Sequence, residues 1–158
     1  MHNLVLEQKE YPYNFRAFLS KENSVKLYTR NQSLELKDEA TFDTQDENLS
    51  SIELFVFSFI SSYIFCIKRE AKKQNITLEN VEISFTCKVQ NPLTLLEVVG
   101  YEEDAFIKSI FIKVYIYSED AAKKVEVLCE KALKNSLIYK LIDKEVKIVI
   151  DYRIVGGN

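Results

Sequence analysis

Apolar and polar residues alternate with a period of two in several segments, the pattern of strands with one buried face. Three short alternating segments, separated by polar turns, lie within residues 13–36, and three longer ones cover residues 81–90, 106–117 and 145–155. This predicts an N-terminal three-stranded meander and three later strands. The polar residues 41–50 between them predict a loop.

Helical patterning begins after that loop. Residues 50–53 have the S-x-x-E form of a capping box, and an apolar run from Leu54 to Ile67 follows directly. These features predict a helix over residues 51–74 that is buried on most faces. The alternative is a membrane span, but this run of fourteen residues, three of them serines, falls short of the roughly 20 that a bilayer crossing needs, and charged residues end the run. We therefore expect a buried central helix.

A second helix is predicted after Ser118, which we expect to cap its N-terminus. Its apolar positions recur at helical spacing on one stripe: Ala122, Val125, Leu128, Cys129, Ala132 and Leu133. The predicted order is βββ-α-ββ-α-β, an α+β fold. The 158 residues fit one domain, with a meander and loop over 1–49 and a helix and strand core over 50–155.

Composition narrows the classes of partner and the compartment. A net charge of -3 leaves no overall basic field, so we expect neither nucleic acid nor a membrane as a partner, and we interpret the helix lysines as solvated faces. Three cysteines without a CxxC pair predict no disulfide framework, and the N-terminus lacks signal-peptide patterning, so we expect a cytoplasmic protein. His2 is the single histidine, and we expect neither a metal nor another cofactor.

Three segments resemble the OsmC/Ohr family of thiol-dependent hydroperoxide reductases. They are the helix entry at residues 51–55, the charged helix end and turn at 71–76 before the strand at Val81, and the strand, turn and amphipathic helix over 106–141. The resemblance implies an OsmC-like fold and an intertwined homodimer whose pockets form between subunits.

The same resemblance places the family's two reactive cysteines on residues that carry no sulfur. The peroxidatic position falls on Ser62 and the resolving position on Asn135. The glutamate that helps to hold the family's activating arginine falls on Ile52, next to Glu53, and Arg16 is the candidate for that arginine. Because peroxide reduction needs a thiolate and a second thiol, these substitutions predict the loss of two-cysteine chemistry.

Two functions follow as alternatives. In the first, the protein is a binding or structural homodimer in which Ser61, Ser62, Tyr63 and Asn135 line a pocket for a small hydrophobic or hydroperoxide ligand. In the second, it is a peroxiredoxin-like hydroperoxide reductase that uses Cys66, one helical turn after Ser62, as a shifted nucleophile. A cysteine inside an apolar helix is otherwise a small buried hydrophobe.

Overall fold

The structure, a computed structural model, describes residues 12–20, 24–38 and 47–156. These fall into two compact units, residues 1–51 and 52–158. The expectations for His2 and for most of the polar loop lie outside the described residues. The assignment of the whole chain to a single domain stays a prediction.

The first unit contains the predicted meander. Its strands are β1 (Arg16–Leu19), β2 (Val25–Tyr28), β3 (Ser33–Lys37) and β4 (Leu49–Ser50). Strands β1, β2 and β3 pair in antiparallel order, which confirms the meander. The loop prediction is wrong at its end, where β4 pairs in parallel with β3. A two-residue strand is too short to show alternation, so only its pairing partner identifies it.

The second unit contains a three-stranded sheet and four helices. The strands are β5 (Asn80–Gln90), β6 (Phe106–Tyr117) and β7 (Lys147–Val155), and the helices are α1 (Ser51–Gln74), α2 (Pro92–Leu95), α3 (Ala122–Asn135) and α4 (Leu137–Ile142). The central strand β6 is antiparallel to β5 and parallel to β7. The α+β class is confirmed. Helices α2 and α4 were not predicted, since segments of four and six residues show too little periodicity.

The core of the second unit lies between the sheet and the helices α1 and α3. One face of β6, carrying Ile110, Ile112, Val114 and Ile116, is fully buried, as the alternation predicts. The predicted apolar stripe of α3 packs against the same cluster except at its first residue, Ala122, which is exposed. Full burial of an aliphatic or aromatic side chain contributes about 1.5–3 kcal/mol each, so this cluster fixes both helices on the sheet.

Helix α1 contributes one face to this core. Phe59, Tyr63 and Ile67 are at most 1% exposed, whereas Phe57 and Phe65 on other faces are 53% and 58% exposed. The helix is long and apolar enough to cross a membrane by length and composition alone, a criterion that the core helix of a soluble protein also meets. The core position of one face of α1 is confirmed. The expected burial on most faces is not reached within the single chain, where 22% of the apolar stretch is buried.

The prediction that Ser118 caps the second helix is wrong. Helix α3 begins at Ala122 with Ala121 as its N-cap residue and no side-chain cap. Ser118 instead follows β6, where its hydroxyl donates to the carbonyl oxygen of Thr77 at 2.7 Å. Ser118 lies too far before the first helical residue to bond the free amides of α3. Its hydroxyl instead links the segment after β6 to the segment before β5.

Candidate functional site

Helix α1 lies beside the C-terminal end of α3, and polar side chains meet across what we call the inter-helix contact, defined by Ser62, Glu70, Lys131, Asn135 and Ser136. The hydroxyl oxygens of Ser62 and Ser136 are 3.1 Å apart. Ser136 is fully buried and also caps α4, accepting a hydrogen bond from the amide of Tyr139 at 3.3 Å.

Sequence reasoning selected Asn135 and missed its neighbour Ser136. The side-chain nitrogen Nδ2 of Asn135 donates to Glu70 Oε1 at 3.1 Å. Glu70 lies two helical turns after Ser62 on α1. Ser136 is the N-cap of α4, and because that six-residue helix is too short to be predicted, the sequence contained no capping signal for this serine. Its partner on α1 is visible only in the fold.

Glu70 is the charged centre of the contact and was also missed. Glu70 is 2% exposed. Lys73 Nζ donates a hydrogen bond to Glu70 Oε1 at 3.0 Å. Lys131 Nζ forms an ion pair with Glu70 Oε2 at 3.1 Å, and this oxygen accepts no hydrogen bond. Lys73 and then Lys131 lower the pKa of this carboxyl to about 2, although burial acts in the opposite direction. The sequence signal that could have identified Glu70 is its position one turn after Cys66, on the buried stripe of an apolar helix.

The thiol of Cys66 lies on the same helix, one turn after Ser62. Cys66 is 2% exposed, and Arg69 Nη2 donates to its sulfur at 3.0 Å. All three cysteines are free. Burial raises the pKa of Cys87, and burial followed by the charges of two glutamates raises the pKa of Cys129 to about 12. A guanidinium therefore touches Cys66 alone among the thiols.

The remaining residues predicted to line a pocket point in different directions. Tyr63 is 1% exposed, and its hydroxyl donates to the carbonyl oxygen of Cys129 at 3.1 Å and lies 3.3 Å from the hydroxyl of Tyr152. Burial, then Tyr152, raises the pKa of Tyr63. Ser61 is exposed, and its hydroxyl donates to the carbonyl oxygen of Ser58. Consecutive helical residues diverge by about 100°, so Ser61, Ser62 and Tyr63 do not share one surface.

Glu53 and Arg16 belong to different units. Glu53 lines a groove of about 270 Å³ on α1 and β5, whose other lining residues are apolar: Ile52, Val56, Phe57, Phe85, Cys87 and Val89. Arg16 lies on β1, where its guanidinium stacks over the ring of Phe18 at 5.2 Å. Within the described ranges, no group of three His, Cys, Asp or Glu residues is placed to hold a metal ion.

Comparison with solved structures identifies the fold. An OsmC-like protein from Mycoplasma pneumoniae superposes with a TM-score of 0.77 at 13% identity, covering 92% of this chain and 99% of that one. An organic hydroperoxide resistance protein from Elizabethkingia anophelis with crystallant-derived thiocyanate bound gives 0.72 at 9% identity, covering 92% and 98%. One from Bacillus subtilis gives 0.66 at 12% identity, covering 90% and 98%.

A comparison with curated protein sequences gives no match. The family model for OsmC-like proteins matches residues 44–151, more than half of the chain. This stretch includes α1, β5, β6, α3 and the following Ser136, and so contains every residue of the inter-helix contact. The protein belongs to the OsmC-like family.

Proposed function

We propose that this OsmC-like protein acts in the cytoplasm as a binding or structural homodimer without two-cysteine peroxidase chemistry. The observation that carries the proposal is the hydroxyl pair of Ser62 and Ser136, 3.1 Å apart, at the contact of the two helices on which the family resemblance places the reactive thiols. A peroxidatic cycle needs a thiolate that becomes a sulfenic acid and a second thiol that condenses with it. The hydroxyl of Ser62 cannot form a sulfenic acid, and neither Asn135 at the resolving position nor the neighbouring Ser136 supplies a second thiol.

The surroundings also disfavour a serine nucleophile at this position. A serine hydroxyl needs an adjacent base to take its proton. Ser62 and Ser136 bond to each other, and Ser136 also accepts from a backbone amide. The carboxylate of Glu70 is bound by two lysines, and the single histidine of the chain lies outside the described residues. Hydrolytic chemistry therefore has no support from this geometry.

The homodimer is supported by the uncovered apolar surface of α1. Phe57 and Phe65 are each more than half exposed in the single chain, on a helix whose opposite face is in the core. An apolar surface of this kind is stabilised by burial against another surface, and a second copy supplies one of matching chemistry. Light scattering coupled to size exclusion tests this assembly; a monomer at micromolar concentration would contradict it.

The ligand that we propose for this protein is a small hydrophobic molecule or an organic hydroperoxide. Support comes from the groove on α1 and β5, whose lining is apolar except for Glu53. Small-molecule sites commonly combine apolar walls with few polar groups. Several structural neighbours are named for hydroperoxide resistance, which agrees with this ligand class. Native mass spectrometry of the purified protein, with and without an added organic hydroperoxide, tests for a bound molecule.

The decisive experiment is consumption of an organic hydroperoxide by the purified protein with dithiothreitol or a dihydrolipoyl donor. We expect turnover at the rate of the protein-free reaction. The Cys66→Ser variant is the matched control, since the proposal gives it the same background rate. Fast turnover in the parent protein would contradict the proposal, whichever residue carries it.

A second candidate is a hydroperoxide reductase with Cys66 as a shifted nucleophile, and one contact favours it. Arg69 Nη2 lies 3.0 Å from the sulfur, and a neighbouring cation stabilises a thiolate. The burial of Cys66 opposes access of a peroxide. Turnover that is fast in the parent and lost in Cys66→Ser establishes this candidate, and sulfenic acid at Cys66 under mild peroxide is its independent signature.

A further inference from the structure

The residue that faces Ser62 across the inter-helix contact is Ser136. The sequence resemblance places the resolving position one residue earlier, on Asn135. In the fold, the hydroxyl oxygens of Ser62 and Ser136 are 3.1 Å apart. Ser136 is fully buried, whereas Asn135 is exposed. The two neighbours therefore differ in direction, and Ser136 alone of the two meets the peroxidatic position.

The side chain of Asn135 is held at another level of α1. Its Nδ2 donates to Glu70 Oε1 at 3.1 Å. Glu70 follows Ser62 by two helical turns, which is roughly 12 Å along the helix axis. The Cβ atoms of a disulfide lie only about 3.5–4.5 Å apart. A thiol directed as the Asn135 side chain is directed would therefore point away from position 62.

The backbone between α3 and α4 fixes the direction of Ser136. Helix α3 ends at Asn135, and Ser136 has the extended angles φ -69 and ψ 127. The amide of Ser136 donates to the carbonyl oxygen of Leu133 at 3.0 Å, and the Ser136 hydroxyl accepts from the amide of Tyr139 at 3.3 Å. Because one backbone group and the side chain are both bonded, the hydroxyl stays on the side that faces α1.

We infer that Ser136, rather than Asn135, occupies the resolving position. The contact then keeps the arrangement of a two-thiol site, with a hydroxyl in place of each sulfur. This inference rests on the proposed function, because it takes Ser62 as the peroxidatic position and assigns the loss of peroxide chemistry to the two missing sulfurs. Thiols introduced at positions 62 and 136 together should restore the oxidation sequence, whereas thiols at 62 and 135 should not.

The restored sequence has two steps. The thiolate at position 62 attacks one oxygen of an organic hydroperoxide, the O–O bond breaks, an alcohol leaves with a proton, and the sulfur is oxidised to a sulfenic acid. The thiol at position 136 then attacks that sulfur; the S–S bond forms, the S–O bond breaks, and water leaves. Added dithiothreitol reduces the disulfide and is itself oxidised.

The test compares three variants of the full-length protein in a Cys66→Ser background, which removes the native thiol one turn from position 62. They are Ser62→Cys, Ser62→Cys/Ser136→Cys and Ser62→Cys/Asn135→Cys. Each is treated with tert-butyl hydroperoxide in the presence of dimedone, and peptide mapping by mass spectrometry measures trapped sulfenic acid at position 62. We expect the adduct of the single variant to fall at least about tenfold with the second thiol at 136, and to change less than about twofold with it at 135.

Separate alkylation of Ser136→Cys and Asn135→Cys supports the comparison without any oxidation step. In the folded protein the thiol at 135 should be labelled and the thiol at 136 protected, and circular dichroism shows whether each variant is folded. Equal labelling, an equal fall of the adduct in the two double variants, or no sulfenic acid at position 62 would each overturn the inference. Peroxide turnover by the parent protein would instead contradict the proposed function, so the two failures are distinguishable.

Discussion

The hydroxyl oxygen of Ser62 lies 3.1 Å from that of Ser136, although the two residues are 74 positions apart in the chain. This pair joins the central helix α1 to the turn between α3 and α4. It also allows a direct test of the local geometry, because cysteines introduced at two positions in such contact form a disulfide only if their side chains face each other.

We predict that Ser62→Cys/Ser136→Cys forms a disulfide in most molecules under a mild oxidant. The reason is that a sulfur pair needs a separation of about 2 Å, which a small shift from the present oxygen separation provides. Peptide mapping by mass spectrometry identifies the bond. Ser62→Cys/Asn135→Cys is the control, since Asn135 contacts Glu70 instead, and equally fast oxidation of that variant would argue against the geometry.

Replacement of Glu70 should destabilise the protein. Glu70→Gln removes the charge that binds Lys73 and Lys131 and weakens the bond from Asn135, in a buried position. We expect Tm to fall by on the order of 5 °C. Glu130→Gln on the exposed side of α3 makes the same change in charge and should leave Tm within about 1 °C. Similar shifts in the two variants would show that Glu70 has no special part in stability.

The carboxyl of Glu70 should also make the free energy of unfolding depend on pH in the acid range. The pKa of Glu70 lies near 2 in the folded protein, below its ordinary value of 4.5, so its contribution is complete above pH 4.5 and is lost as the pH falls towards 2. Urea unfolding of the parent and of Glu70→Gln at several pH values should show a difference that shrinks across this window. A constant difference would contradict the assignment.

Loss of the Tyr63 hydroxyl should weaken the core. Tyr63→Phe removes the hydrogen bond from the Tyr63 hydroxyl to the carbonyl oxygen of Cys129 and the contact of the Tyr63 hydroxyl with that of Tyr152, at a side chain that is 1% exposed. We expect a loss of about 1 kcal/mol in the free energy of unfolding, measured by urea titration. Tyr101→Phe is the control because Tyr101 is 53% exposed, and it should have no measurable effect.

The three thiols should differ in accessibility. Cys66 and Cys129 are at most 2% exposed, while Cys87 is partly exposed on β5. With a thiol reagent under native conditions, Cys87 should react first and the other two only after addition of denaturant. Peptide mapping after brief alkylation makes the assignment. Early modification of Cys66 would instead favour the second candidate function.

Local patterns in the sequence determined most of the elements. The alternation over residues 106–117 gave the bounds of β6, and the capping box with the following apolar run gave those of α1, because side-chain periodicity depends only on neighbouring residues. The same reasoning failed for β4 and for the cap at Ser118. There, pairing with distant backbone groups decided the structure.

The candidate site was determined differently. The sequence alone established that the chain has serine and asparagine where the family resemblance places its cysteines, since that depends only on residue identity. It did not determine that Ser136 meets Ser62, or that Asn135, 65 positions from Glu70, donates to that carboxylate. Such pairs depend on how α1 and α3 pack on the sheet. Their side-chain directions follow from the rotation of each helix about its axis, which only the burial of both apolar stripes in one core fixes.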